Sequence, residues 1–348
     1  MNSHDSSLKT RLRFGLFAAG TAALTLLVGA CGSSSSGTTS STSSSAGSSS
    51  SAAAGPASSS AGSSASASGA SSGSPTSGAS SGSPASGASS GSAASGPVAS
   101  GDSKVLTDAK SGKLVVGIKF DQPGLALKNP DGSFAGFDVE VAKYVAKQLG
   151  VPESGIEFKE SKSAEREGLI ERGEVDYIVA TYSITDTRKQ KVNFAGPYFV
   201  AHQDLLVKKD STDITGPEAM SGKILCSVSG STPAQKVKDK YAKDVALQEF
   251  GTYSECVEAL KTGTVDAVTT DDVILAGFAA QSPGEFKLVG KGFSDENYGI
   301  GLKKGDTAGQ TAINDAIKKM VSDGSWKKAL ESTVGPSGYK IPAPPTIA

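Results

Sequence analysis

From Gly32 to Gly101 the chain carries no Asp, Glu, Lys or Arg, and its side chains are Ser, Ala, Thr, a few Pro and a lone Val98. Such a stretch cannot bury enough apolar surface to offset the entropy of ordering it, so it is predicted to remain a coil. Everything that folds around a core must come from the 247 residues beginning at Asp102, a length suited to one large domain or two lobes of ordinary size. Of 34 Lys and Arg and 35 Asp and Glu, only Lys9, Arg11, Arg13 and Asp5 precede residue 102, which leaves the body a net charge of −3. That balance gives no basic footprint for nucleic acid. Three cysteines and two histidines, one of them His4 near the start, exclude His-rich and multi-Cys metal sites, and no cofactor is implied.

The uncharged stretch has a nine-residue repeat, seen in Gly69–Ser77 and Gly78–Ser86, too short and too polar to be a solenoid unit. As a flexible chain of 70 residues its root-mean-square reach is about 45–50 Å. Before it stand a cationic segment (Lys9, Arg11, Arg13) and the uncharged run Phe14–Val28. Fifteen residues suit the apolar part of a signal peptide better than a membrane span, which needs about 20. The run ends in Val28-Gly29-Ala30-Cys31, which resembles the lipobox of bacterial lipoproteins. That resemblance implies a signal peptide over residues 1–30, a diacylglyceryl and palmitoyl anchor on Cys31, and a tether over 31–101. It places the body at the extracytoplasmic face of a bacterial cell membrane. The alternative is an uncleaved anchor with an incidental cysteine.

The body alternates short β-rich runs with helical patterns. Leu114–Ile118, Ile156–Phe158, Val175–Ala180, Asp204–Val207, Ile224–Val228, Val245–Phe250, Asp266–Thr269 and Ile300–Leu302 read as strands. Phe137, Val141, Val145 and Leu149 mark one helical face, and Ile313, Ile317, Met320 and Val321 another. Two such series predict an α/β fold of two lobes, each a mostly parallel sheet flanked by helices. Ligands then bind beyond the carboxyl ends of the strands. Four loops there carry chemistry: Lys119–Gly124, Ala180–Arg188, Ser229–Gln235 and Thr269–Asp272. Thr232 and Gln235 have capping-box spacing with Pro233 at the first helical position. Each of these residue types also has a purely structural use, since Thr, Ser and Asp cap helices and Lys119 or Arg166 could be solvated surface charges. Two anion-friendly helix starts, one Arg and one carboxylate become a receptor for an α-amino acid zwitterion only where the loops meet.

Gly136-Phe137-Asp138-Val139-Glu140-Val141-Ala142, followed by Ser183-Ile184-Thr185, Arg188, Gly230-Ser231-Thr232 and Asp266 through Asp271, resembles the family 3 extracellular solute-binding proteins. These are polar amino-acid receptors of bacterial ABC importers. The resemblance implies a type II periplasmic-binding-protein clamshell with two hinge crossovers. Residues 102–203 and 298–348 would form the first lobe and 204–297 the second. It further implies that Arg188 holds the ligand α-carboxylate with Thr181, Ser183 and Thr232, and that Asp271 and the Ala180 carbonyl take the α-ammonium. Lys119, Arg166 and Ser163 are similar to residues of the glutamate/aspartate-binding branch that meet a side-chain carboxylate, and Tyr253 falls at a polar contact of that branch. Lys119, Arg166, Arg188 and Asp271 sum to +2, which suits an anion, so glutamate is expected first, then aspartate, with asparagine and glutamine behind. The expected partners are ABC permease subunits with a separate ATPase, the expected state a monomer, and no metal.

Outside the cytoplasm Cys226 and Cys256 read as a disulfide, with two buried thiols as the alternative. Tyr182 and Trp326 read as packing residues. Some dehydratases acting on prephenate-like compounds share the implied fold, but the body has one histidine, His202, and no GxSxG, HExxH or P-loop spacing. A sensor signalling in trans is the other alternative.

Overall fold

The computed structural model describes residues 103–347. The signal peptide expected at 1–30, the lipidation expected at Cys31 and the tether expected over 31–101 lie outside the described residues. In chain order the elements begin with α1 (Lys104–Lys110), β1 (Leu114–Ile118), β2 (Asp121–Gln122), β3 (Ala126–Lys128), β4 (Phe134–Ala135), α2 (Phe137–Gln148), β5 (Ile156–Glu160), α3 (Arg166–Glu171), β6 (Tyr177–Ile178) and α4 (Asp186–Lys189). The long strand β7 (Val192–Lys208) follows, then β8 (Ile224–Val228), α5 (Pro233–Lys240), β9 (Ala246–Phe250), α6 (Tyr253–Thr262), β10 (Ala267–Asp271), α7 (Asp272–Gln281) and β11 (Phe286–Leu288). A second long strand, β12 (Asp295–Lys303), leads into α8 (Thr307–Ser322) and α9 (Ser325–Thr333).

The strands run in the order β5-β1-β6-β12-β7-β10-β8-β9, with β11 added on β7. β1 is parallel to β5 and β6, and β8 is parallel to β9 and β10, so each lobe has its own parallel group. The two groups are joined through β7 and β12, which pair antiparallel from His202↔Asp295 to Val192↔Lys303. Beyond Gln203 the same strand β7 turns to pair with β10 and β11. The two-lobed α/β clamshell is thus built on a pair of antiparallel crossovers. Helices cover both faces, which is why β10 is buried along its whole length and β1 nearly so.

Local sequence accounts for the elements that carry the site. The face Phe137, Val141 and Val145 of α2 is buried, with Phe137 packed against Tyr198, Phe199 and Trp326, each large side chain contributing about 1.5–3 kcal/mol. Trp326 donates its indole N–H to the Tyr198 carbonyl and belongs to this packing. Helix α6 opens on a reciprocal capping box of Thr252 and Glu255 and closes on Gly263 in the left-handed conformation. A disulfide joins Cys226 in β8 to Cys256 in α6 with 5.6 Å between the Cα atoms. Closing a loop of that length contributes about 3–4 kcal/mol in the chain-entropy account. No helix among the described residues is long and apolar enough to cross a membrane.

The strand predicted over Val175–Ala180 is shorter than expected. Only Tyr177 and Ile178 form the strand, with β1 on one side and β12 on the other; the Val179 N–H still reaches the Gly117 carbonyl, and after Thr181 the chain bridges back to Tyr298 of β12 at Ser183.

Candidate functional site

Four loops converge at the carboxyl ends of parallel strands. Lys119 follows β1, Thr181 to Ser183 follow β6, Ser231 and Thr232 follow β8, and Thr270 and Asp271 close β10. Arg166, Thr181, Ser183, Arg188, Thr232, Tyr253 and Asp271, all singled out above, line one cavity. Lys119 and Ser163 adjoin it through hydrogen bonds rather than lining it. The Ala180 carbonyl accepts the Thr181 hydroxyl at 2.7 Å instead of opening into the cavity.

The cations are buried. Lys119 and Arg166 are 2% and 3% exposed, which settles them as interior groups rather than solvated charges. Ser163 Oγ accepts from Lys119 Nζ at 3.1 Å and from Arg166 Nη2 at 2.6 Å, and Arg166 Nε is buried with no partner. Burial, then the Arg166 charge, drives the Lys119 ammonium down to about 7. Burial, then Arg188, also pulls Arg166 below its ordinary value. The Tyr182 ring lies 4.8 Å from the Arg166 guanidinium and 5.0 Å from that of Arg188, so this packing residue also braces two like charges.

Arg188 reaches three ways. Nη1 donates to the Ser183 carbonyl at 2.9 Å, Nη2 donates to the Gly230 carbonyl of the other lobe at 3.0 Å, and Nε lies 3.4 Å from Glu167 Oε1. Glu167 adds a carboxylate to the four residues expected to sum to +2, and with it counted the charged set sums to +1. At the other end Asp271 accepts the Tyr298 hydroxyl at 2.5 Å on Oδ2, while Oδ1 is buried with no partner. Burial, then the nearby Glu296, pushes Asp271 up to about 7.

Two features depart from the sequence reading. The capping box of Thr232 and Gln235 does not form: Thr232 caps no backbone group, and Gln235 donates to Asp239 instead. The Thr232 hydroxyl accepts from Gln203 at 3.2 Å and donates to Glu296 at 3.3 Å, and Glu296 is ion-paired to Lys236. Helix α4 is a single turn whose cap, Thr185, accepts the Arg188 N–H, so that donor faces its own loop and not the cavity.

Several residues escaped the sequence reading. Thr181 has φ of 46°, a strained value for a β-branched residue. The fully buried Asp138 holds it there, accepting the Thr181 N–H at 2.9 Å and the Tyr198 hydroxyl at 2.8 Å. Burial raises the Asp138 carboxyl to about 6. Its signal was present: Asp138, Val141, Ala142 and Val145 fall at helical spacing on the apolar face of α2. Glu167, Glu296 and Gln203 had none, because their partners come from distant parts of the chain. Among the described residues no group of three or more His, Cys, Asp and Glu is placed to hold a metal ion.

The profile of the bacterial extracellular solute-binding proteins, family 3, matches residues 114–335. The glutamate-binding protein GluB of Corynebacterium glutamicum is 51% identical over 247 residues, covering 68% of this chain and 83% of that protein. The ABC transporter glutamine-binding protein GlnH of Bacillus subtilis is 42% identical over 223 residues, covering 64% and 81%. Among solved structures, an ancestral arginine-binding protein bound to glutamine superposes with a TM-score of 0.61 at 36% identity, covering 64% of this chain and 98% of that one. The profile and these relatives describe binding proteins, not enzymes, which removes the dehydratase reading.

Proposed function

The chain belongs to the family 3 bacterial extracellular solute-binding proteins, and on that premise we propose that it binds an acidic α-amino acid between its lobes, glutamate first and aspartate next. The observation that carries this reading is the pair of buried cations, Lys119 and Arg166, sharing Ser163 with no carboxylate among the described residues in ion-pair contact. A desolvated cation needs a partner, and a ligand side-chain carboxylate supplies one. In this reading Arg188 grips the α-carboxylate with Thr181, Ser183 and Thr232, and Asp271, whose Oδ1 is unpartnered, takes the α-ammonium. Glutamate has net charge −1 and the charged set sums to +1, so occupancy neutralises the cleft. The similarity to a glutamate-binding protein at 51% identity supports the same ligand.

The closed clamshell would deliver its ligand to ABC permease subunits driven by a separate ATPase, the protein acting as a monomer. Diacylation at Cys31 would hold it on the outer face of the membrane, with the 31–101 tether giving it reach; two or more acyl chains anchor stably where one does not. Titration calorimetry with glutamate, aspartate, glutamine, asparagine, arginine and histidine tests the ligand. Glutamate is expected to bind tightest, and preference for arginine or histidine overturns the charge argument. Mass spectrometry of the membrane-extracted protein tests the anchor, which Cys31→Ala is expected to abolish.

A further inference from the structure

We propose that Asp121 couples ligand capture to closure: its carboxylate, on the first lobe, holds the amino terminus of α6, on the second, and so sets Tyr253 beside Lys119. The inference rests on the reading of the cleft as an amino-acid site and adds how that site is shut. Asp121 Oδ2 accepts the backbone N–H of Tyr253 at 2.9 Å and that of Ser254 at 3.3 Å. These are the first two residues of α6, whose N–H groups have no partner within a helix. The capping box engages the next donor, since the Thr252 hydroxyl accepts from Glu255 N. Asp121 therefore completes a helix end that its own lobe leaves open, and its charge lies at the positive end of the helix.

What α6 carries makes the contact consequential. The Tyr253 ring centroid lies 6.0 Å from Lys119 Nζ. Cys256 ties α6 to β8, and the loop after β8 holds Gly230 and Thr232. Drawing α6 onto Asp121 thus brings Gly230 to Arg188 and against the Ala164 backbone, where a Cβ would approach within 2.6 Å. Asp121 stands two residues beyond Lys119, and its charge opposes the loss of the Lys119 proton. One carboxylate both supports the buried Lys119 cation and fastens the opposite lobe. Asp131 provides a contrast: it is exposed and bonds only within its own turn, to Ser133.

The test uses the full mature chain with two dyes, introduced as non-canonical amino acids at exposed positions 110 and 238, read by single-molecule energy transfer with and without glutamate. Stopped-flow release of glutamate is measured beside it. Asp121→Asn is expected to lower the closed fraction in both conditions and to speed release roughly ten-fold, since a charge-assisted bond is about twice as strong as a neutral one. Asp121→Glu, which keeps the charge, is expected to recover part of both, and Asp131→Asn to behave as the parent protein. Parent-like closure and release in Asp121→Asn would overturn the proposal, as would equal changes in Asp131→Asn. Failure of the parent to bind glutamate would sink the ligand reading alone, because the ligand-free distances still decide whether Asp121 fastens α6.

Discussion

Lys119→Met removes a charge while keeping most of the stem that fills its place, and its consequences have opposite signs with and without ligand. The ammonium is 2% exposed and held near 7 by burial and by Arg166, against about 10.5 in an unfolded chain. Between those values the folded protein binds fewer protons than the unfolded one. Lys119 therefore costs stability at neutral pH, a cost that diminishes as pH rises from about 7 toward 10.5. The depression corresponds to several kcal/mol, so the ligand-free variant is expected to melt higher, by about 2–4 °C for each kcal/mol recovered. Glutamate binding moves the other way. Removing one member of a buried charge pair costs about 2–5 kcal/mol, so the glutamate Kd is expected to rise ~30-fold or more. Glutamine loses only a neutral acceptor's bond to the ammonium and is expected to weaken by less than about ten-fold. Calorimetric titration of both ligands and a thermal melt of the free protein provide the three numbers. Equal losses for glutamate and glutamine would mean that Lys119 shapes the pocket rather than reading charge, and a lower melting temperature would refute the account of its burial.

Arg188→Ala is expected to abolish measurable binding of every amino acid in the panel, whereas Arg166→Ala erodes mainly the preference for acidic over neutral ligands; both are read by calorimetry. Gly277→Ala is expected to weaken glutamate binding at least about ten-fold with little loss of ligand-free stability. A Cβ there would lie 2.3 Å from the Pro123 carbonyl across the cleft, and opening the lobes relieves that clash. Glutamate affinity is expected to peak near pH 7. Below it Asp271, raised to about 7, must shed a proton to meet the ammonium, and above it Lys119 must regain one; the alkaline limb disappears in Lys119→Met.

How far the sequence could be read depended on where each residue's partners lie. The β8 bounds are those expected, because an apolar run flanked by Lys223 and Ser229 carries its own ends. β6 was overestimated because Val175, Val179 and Ala180 read as strand residues in the sequence, whereas only Tyr177 and Ile178 keep the strand pairing and Thr181 then takes a φ of 46°. The cations and Asp271 were legible from their loops and from a family likeness. Their burial was not, since it comes from packing across both lobes. Thr232 had the spacing of a cap, yet its hydroxyl bonds to Gln203 and Glu296, 29 and 64 residues away, which no local pattern reports. Asp121 reaches Tyr253 across 132 residues.

In the proposed reading selectivity and closure draw on the same groups, which follows from how charge is divided between the lobes. The first lobe gathers Lys119, Arg166 and Arg188 with, among the described residues, only Glu167 in ion-pair contact; the second brings Asp271 beside Glu296, which Lys236 balances. Each side holds groups driven off their ordinary protonation, the cation toward neutrality and the acid toward the protonated form. Facing each other they attract, but Arg188 already spends Nη2 on the Gly230 carbonyl and Asp271 spends Oδ2 on Tyr298. Direct charge pairing across the cleft is therefore incomplete. In the proposed reading a zwitterion with a second carboxylate would complete it, with its ammonium at Asp271 and its two carboxylates at Arg188 and at the Lys119–Arg166 pair. A neutral side chain would leave the last pair as buried and as poorly compensated as before. On that proposal the differential contact energy that closes the lobes would be largest for an acidic amino acid.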